Sequence, residues 1–186
     1  MTACDPTVVI VPGLRDHVPN HWQTLLAEQL PHSVTVPRMR TDKLSCAAWV
    51  DQLERTLAVV EGPVVLVAHS GGVMMVVHWA LQHQRPIHGA LLAAPADLES
   101  PLPEGYPSLD ALRRNGWLPV PRSRLAFPSI VAASTNDPLA RFGRVAQYAA
   151  DWGSRVVNIG AAGHLNPASG YGVWPRATEF IRQLTV

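Results

Sequence analysis

The sequence predicts an open α/β fold with about six mostly parallel strands and helices on both faces. Two observations carry this. Four short runs rich in β-branched residues are continuously apolar rather than alternating, as strands buried on both faces require. Between them the apolar residues recur with the helical period, and alternation of strand and helix is the signature of a layered α/β sheet. The 186 residues show no repeat period and no break toward a second domain, so one domain spanning 1–186 is expected.

In chain order, Val8-Val9-Ile10-Val11 reads as a strand ending in Pro12-Gly13. Trp22, Leu25, Leu26 and Leu30 follow with helical spacing, with Asn20 placed as N-cap and Gln23 three residues later. Val34-Thr35-Val36 is a weaker strand, and Cys46, Trp49, Val50, Leu53, Leu57 and Val60 form a second helical stripe. Val64 to Val67 ends at Ser70, and the segment after that serine is apolar almost all round, as suits a helix buried on a sheet. Ala90-Leu91-Leu92-Ala93 ends in Ala94-Pro95. The stretch 97–128, with Pro101, Pro103, Pro107, Pro119, Pro121 and Pro128, breaks the rhythm and reads as an excursion over the strand ends, with a short helix around 108–114. Ile130 to Ala133 is the next strand, and Asp137-Pro138 opens a helix carrying Leu139, Phe142, Val145, Ala146 and Ala149. Arg155 to Ile159 is a second weaker strand, and Ala177, Phe180, Ile181 and Leu184 close the chain.

The net charge is +1, from 15 basic and 14 acidic residues. That balance offers no electrostatic case for nucleic acid or an anionic membrane. Cys4 and Cys46 make neither a disulfide framework nor a metal-ligand spacing. The first residues show no basic region followed by a long apolar stretch, and no apolar run approaches the roughly 20 residues of a bilayer span. A cytoplasmic protein without membrane partners is the expectation.

The chemistry concentrates in Ala68-His69-Ser70-Gly71-Gly72, between an apolar strand and an apolar helix. A nucleophile elbow, G-x-S-x-G, needs small residues around its serine because the turn is sharp; here Ala68 replaces the first glycine. A serine hydroxyl needs a base within hydrogen-bond reach and a third group to orient that base. In the order serine, acid, histidine, the later strand ends offer Asp137 and His164. Taken singly, Ser70 also reads as an ordinary N-cap, Asp137 as a helix start and His164 as a solvated loop histidine. Asp97, at an earlier strand end, is the rival acid. Of the other histidines, His69 neighbours Ser70, but the elbow is expected to direct its side chain away; His17 and His21 precede the elbow. An oxyanion hole requires two N–H groups aimed at a carbonyl oxygen. Gly71 is expected to supply one and Leu14, after Gly13, the other.

These marks resemble the α/β-hydrolase superfamily, and more closely the small serine hydrolases of the YdeN and retinoblastoma-binding-protein type. The resemblance covers nearly the whole chain. It lies in Val11-Pro12-Gly13 with His21-Trp22, the 68–72 elbow, Ala133-Ser134-Thr135-Asn136-Asp137-Pro138 and Ala150-Asp151-Trp152-Gly153. The most extended signature runs from Gly163-His164-Leu165-Asn166-Pro167 to Val173-Trp174-Pro175. It implies a compact α/β-hydrolase core without a large cap domain, a triad of Ser70, Asp137 and His164, and no metal or organic cofactor. The reaction expected of such a triad is hydrolysis of a small ester or amide through an acyl-enzyme on Ser70. The alternatives are acyl transfer by the same triad and a catalytically weak interaction module. Trp22, Trp117, Tyr171 and Trp174 are the candidate pocket residues.

Overall fold

The computed structural model describes residues 5–15 and 18–185, so Cys4 and His17 lie outside the described residues. Strands β1 (Thr7–Val11), β2 (Ser33–Thr35), β3 (Val64–His69), β4 (Gly89–Ala93), β5 (Ser129–Ala133) and β6 (Arg155–Asn158) form one sheet. Their order is β2-β1-β3-β4-β5-β6, and every pairing is parallel. The chain moves one way from β1 to β2 and the other way from β3 onward, so the strand order reverses between β1 and β3. Crevices for ligands form at the carboxyl ends of strands beside such a reversal.

Helices α1 (Trp22–Gln29), α2 (Cys46–Ala58), α3 (Gly71–Gln82), α4 (Leu109–Arg114), α5 (Phe142–Trp152) and α6 (Arg176–Leu184) flank the sheet. Successive strand residues face opposite sides, and this divides the core in two. Val9, Val11, Leu66, Ala68, Leu92 and Val131 belong to the larger cluster, with Trp49, Leu53 and Leu57 of α2, Val73 and Val77 of α3, and Val145 and Tyr148 of α5. Val8, Ile10, Val65, Val67, Leu91 and Ile130 join the smaller cluster, with Trp22 and Leu26 of α1 and Phe180, Ile181 and Leu184 of α6. Because both faces are covered, β3 is buried at every residue. Each fully buried Val, Leu or Ile contributes about 1.5–3 kcal/mol relative to exposure.

Three local expectations are corrected. Asn20 does not cap α1: it adopts φ 62°, and His21 takes the N-cap, its Nδ1 accepting from the Gln23 N–H at 3.2 Å. Asp137-Pro138 does not open α5, whose N-cap is Arg141. Instead Asp137 Oδ1 accepts the Leu139 N–H at 2.8 Å, closing a tight turn ahead of the helix. The stretch 97–128 is also less detached than its prolines suggest. Leu98, Leu112, Trp117, Val120, Leu125 and Phe127 are buried in the larger cluster, and Trp117 Nε1 donates to the Leu44 carbonyl at 2.6 Å. Arg122 pins it further, pairing with Glu99 and with Asp151 at 2.6 Å. Among the described residues no helix is long and apolar enough to cross a membrane.

Candidate active site

Ser70 follows directly on β3 and precedes the first residue of α3, with φ 56° and ψ −122°. An L-residue at positive φ is strained by roughly 1–3 kcal/mol and persists only where the surroundings over-determine it. Those surroundings are backbone. The Ser70 N–H donates to the Ala93 carbonyl at 3.0 Å. A Cβ on Gly72 would collide with the Val11 carbonyl oxygen and reach the Pro12 carbonyl oxygen at 2.5 Å. Gly72 therefore lets α3 start against the end of β1, where no side chain fits. Ala68 is the last but one residue of β3, fully buried in the larger cluster; its methyl packs on a sheet face, so the departure from glycine costs the turn nothing.

His164 reaches Ser70 from the loop after β6. Its Nε2 lies 2.8 Å from Ser70 Oγ, and its Nδ1 lies 2.9 and 3.0 Å from the two Asp137 oxygens. The two side chains are 6% and 2% exposed, so water has little access to the contact. With the proton on Nδ1 donated to Asp137, Nε2 presents a lone pair to the serine hydroxyl. The loop is held by polar side chains. Asn136 Oδ1 accepts the Gly163 N–H at 2.6 Å, Ser134 Oγ accepts the Ala162 N–H at 3.1 Å, and Ser169 Oγ accepts the His164 N–H at 3.1 Å. Gly163 sits at φ 55°, and a Cβ there would strike the Ser169 side chain. Asp97 is drawn elsewhere: its carboxylate accepts from Tyr148 Oη at 3.1 Å and Ser100 Oγ at 2.7 Å, and pairs with Arg144 at 3.3 Å.

A cavity of about 290 Å³ opens over Ser70, near the lower end of small-molecule sites. Its wall is largely apolar, with Leu14 and Val18 on one side and Leu98, Leu102, Tyr106 and Leu139 on the other. Leu14 and Gly71 adjoin one another there: a Cβ on Gly71 would sit 3.3 Å from the Leu14 nitrogen. Arg15 stacks its guanidinium over the Tyr106 ring at 4.6 Å.

None of the four aromatic pocket candidates lines this cavity. Trp22 is 1% exposed and packs edge-on against Trp174 at 4.9 Å, both in the smaller cluster. Its Nε1 has no hydrogen-bond partner among the described residues. Trp117 lies in the larger cluster, and Tyr171 packs at the margin of the smaller one. Large rings pack best where elements meet, and here those junctions lie beside the cavity rather than in it. Besides His164, the rings at the cavity are His21, His69 and Tyr106. His69 corrects a second expectation: its side chain is not sent away from the site but lines it, with Nε2 2.9 Å from the His164 carbonyl oxygen. Gln23 also faces the cavity, its Nε2 donating to the Val11 and Val67 carbonyls at 3.1 and 2.9 Å. Only its position in an α1 cap pattern marked it in the sequence, and that pattern does not reveal a cross-strand bridge.

Burial, together with the neighbouring His164 and His21, pushes the His69 imidazole well below its ordinary range. Burial does the same to His78, only partly offset by its bond to the Trp117 carbonyl. The buried Cys46 thiol is pushed up to about 12 by desolvation, which keeps it protonated and a poor nucleophile. Among the described residues no group of three or more His, Cys, Asp or Glu is arranged to hold a metal ion.

A family model described as serine hydrolase matches residues 8–183. Among solved structures, a YdeN-like hydrolase from Pectobacterium atrosepticum is 33% identical, with TM-score 0.80, over 97% of this chain and 92% of that one. The ydeN gene product of B. subtilis is 17% identical, with TM-score 0.77, over 97% and 98%. Est1E from Butyrivibrio proteoclasticus is 12% identical, with TM-score 0.69, over 96% and 88%. The last two likenesses concern the fold alone. A comparison with curated protein sequences gives no significant match. With a family match across nearly its full length, a six-stranded parallel sheet and a close relative of like architecture, the chain belongs to the serine hydrolase family of the α/β-hydrolase fold.

Proposed function

We propose that the protein hydrolyses a small ester or amide through an acyl-enzyme on Ser70, with His164 as general base and acid and Asp137 as the group that orients it. One observation carries this reading: the continuous chain from Ser70 Oγ through the His164 ring to Asp137, with contacts of 2.8 and 2.9 Å. Ser70 Oγ attacks the substrate carbonyl while its proton passes to His164 Nε2. The tetrahedral intermediate collapses, the leaving group departs with that proton, and the acyl group stays on Ser70. Water then repeats the sequence, with His164 taking the water proton and returning one to Ser70. Asp137 stabilises the imidazolium that forms twice per cycle. The Gly71 and Leu14 N–H groups are the proposed oxyanion donors; as the first residue of α3, Gly71 has an N–H without an intrahelical partner. One such donor is typically worth about 100- to 1000-fold in rate.

The largely apolar wall of the cavity favours a hydrocarbon acyl group, and its volume suits a short one. Each methylene placed there contributes about 0.8 kcal/mol, close to fourfold in kcat/KM, until the cavity is full. The test is a series of p-nitrophenyl esters from acetate to decanoate on wild type and Ser70→Ala, with fluorophosphonate labelling beside it. Hydrolysis and labelling present in wild type and absent in the variant are expected. Turnover surviving in Ser70→Ala sinks the proposal.

A further inference from the structure

We infer that His69 is a positioning residue, tying the backbone of His164 to the strand end that carries Ser70. The inference rests on the proposed roles of Ser70 and His164. Two consecutive residues grip opposite ends of one histidine: Ser70 Oγ lies 2.8 Å from the His164 ring, and His69 Nε2 lies 2.9 Å from the His164 carbonyl oxygen. A carbonyl only accepts, so His69 Nε2 carries a proton and donates it. His69 is 5% exposed, and water does not substitute for that bond.

The tether completes the hold on one peptide unit: its N–H end, at Leu165, donates to the Ala162 carbonyl at 3.1 Å, and its carbonyl end faces His69. Leu165, next to His164, is at φ 50°, a strained conformation that persists only where the surroundings hold it. Asp137 limits rotation of the ring and Ser169 holds the His164 N–H, but the carbonyl side is held by His69. A shift of about 1 Å at a catalytic group costs on the order of 100-fold in rate.

The role also requires that His69 donate without being charged. The titratable groups facing it are the His21 ring at 4.7 Å and the His164 ring at 4.8 Å. His164 becomes a cation in each half of the proposed cycle, and a charged His69 beside it would oppose that step. A lysine or arginine could donate the same hydrogen bond but would bring the opposing charge with it. A buried neutral imidazole donates alone.

The experiment uses His69→Phe, which keeps a ring and removes the donor, and His69→Gln, which keeps an N–H donor and cannot titrate. His69→Phe is expected to lower kcat for p-nitrophenyl butanoate by about 10- to 100-fold with KM little changed, while His69→Gln keeps most of kcat. Nitrogen-15 NMR of the wild-type histidines is expected to show the Nε2–H tautomer at His69 and no titration in the ordinary histidine range. Full kcat in His69→Phe, equal losses in both variants, or an Nδ1–H tautomer would each overturn the inference. If His69→Phe does not fold, the wild-type tautomer and His69→Gln decide. Failure of the proposed function is separate: it appears as wild-type turnover that does not depend on Ser70, whatever the tautomer of His69.

Discussion

At the end of β3 the chain is fixed by backbone lying on backbone, whereas the loop after β6 is fixed by polar side chains. In the elbow, Ser70 is held at φ 56° because α3 begins against the carbonyls of Val11 and Pro12, with Gly72 as the only residue type that fits. In the loop, a few backbone bonds, such as Leu165 N–H to the Ala162 carbonyl, are joined by hydrogen bonds with the side chains of Ser134, Asn136, Ser169 and His69. The first kind of support either permits the fold or does not. The second is graded, since each bond is lost singly.

That difference is open to direct attack. The largest effect is expected at the junction of the two regions: Asp137→Asn should lower kcat by about 10⁴-fold, the loss known for an Asp→Asn change in a Ser-His-Asp triad, while its remaining amide oxygen still accepts the Leu139 N–H. Gly72→Ala should act on folding instead, costing about 1–3 kcal/mol or more by overpacking, read from urea unfolding. If it leaves stability intact, backbone packing does not hold the elbow. Asn136→Ala should fall between, removing the exposed acceptor of the Gly163 N–H at a cost of about 0.5–1.5 kcal/mol, since water can take its place. It should show as a several-fold loss of kcat with only a modest change in stability. The smallest effect is in pH. His69 and His78 are both held below the ordinary 6.5 in the folded chain. As pH falls through 6.5 the unfolded chain takes up those protons first, so stability is full above that pH and declines below it. The slope is at most about 1.4 kcal/mol per pH unit for each group. Urea midpoints measured from pH 7.5 to 5 should show it, and His69→Gln should remove its own share.

The same contrast explains what was legible in the sequence. Backbone packing restricts residue type at fixed spacing, so the elbow at 68–72 and the apolar strands before it stand out locally. Asp137 and His164 were readable because chain order and strand ends limit where partners of Ser70 can lie. The supports of His164 were not: Ser134, Asn136 and Ser169 are common loop residues, and their partners lie across the loop or 27 and 28 residues away. The cavity wall was missed for a related reason. Leu98, Leu102 and Tyr106 reach it from the proline-rich stretch, whose path no periodicity describes, while the tryptophans that looked available are spent on packing between helices. The start of α5 failed because Asp137 serves two partners, the Leu139 N–H and His164, and Asp-Pro reads equally as a cap.

The bridge made by Gln23 has a consequence for the width of the site. Its single amide nitrogen spans the Val11 and Val67 carbonyls, near the carboxyl ends of the two strands where the sheet reverses direction. The segments that continue from those strands bear Leu14, in a loop, and Gly71, at the start of α3, the proposed oxyanion donors. One nitrogen in α1 thus clamps two paired strand ends, one leading to the loop of Leu14 and the other to the start of α3. Shortening that side chain to Asn would withdraw the clamp from both carbonyls and leave the strand ladder alone to hold the two donors at their spacing.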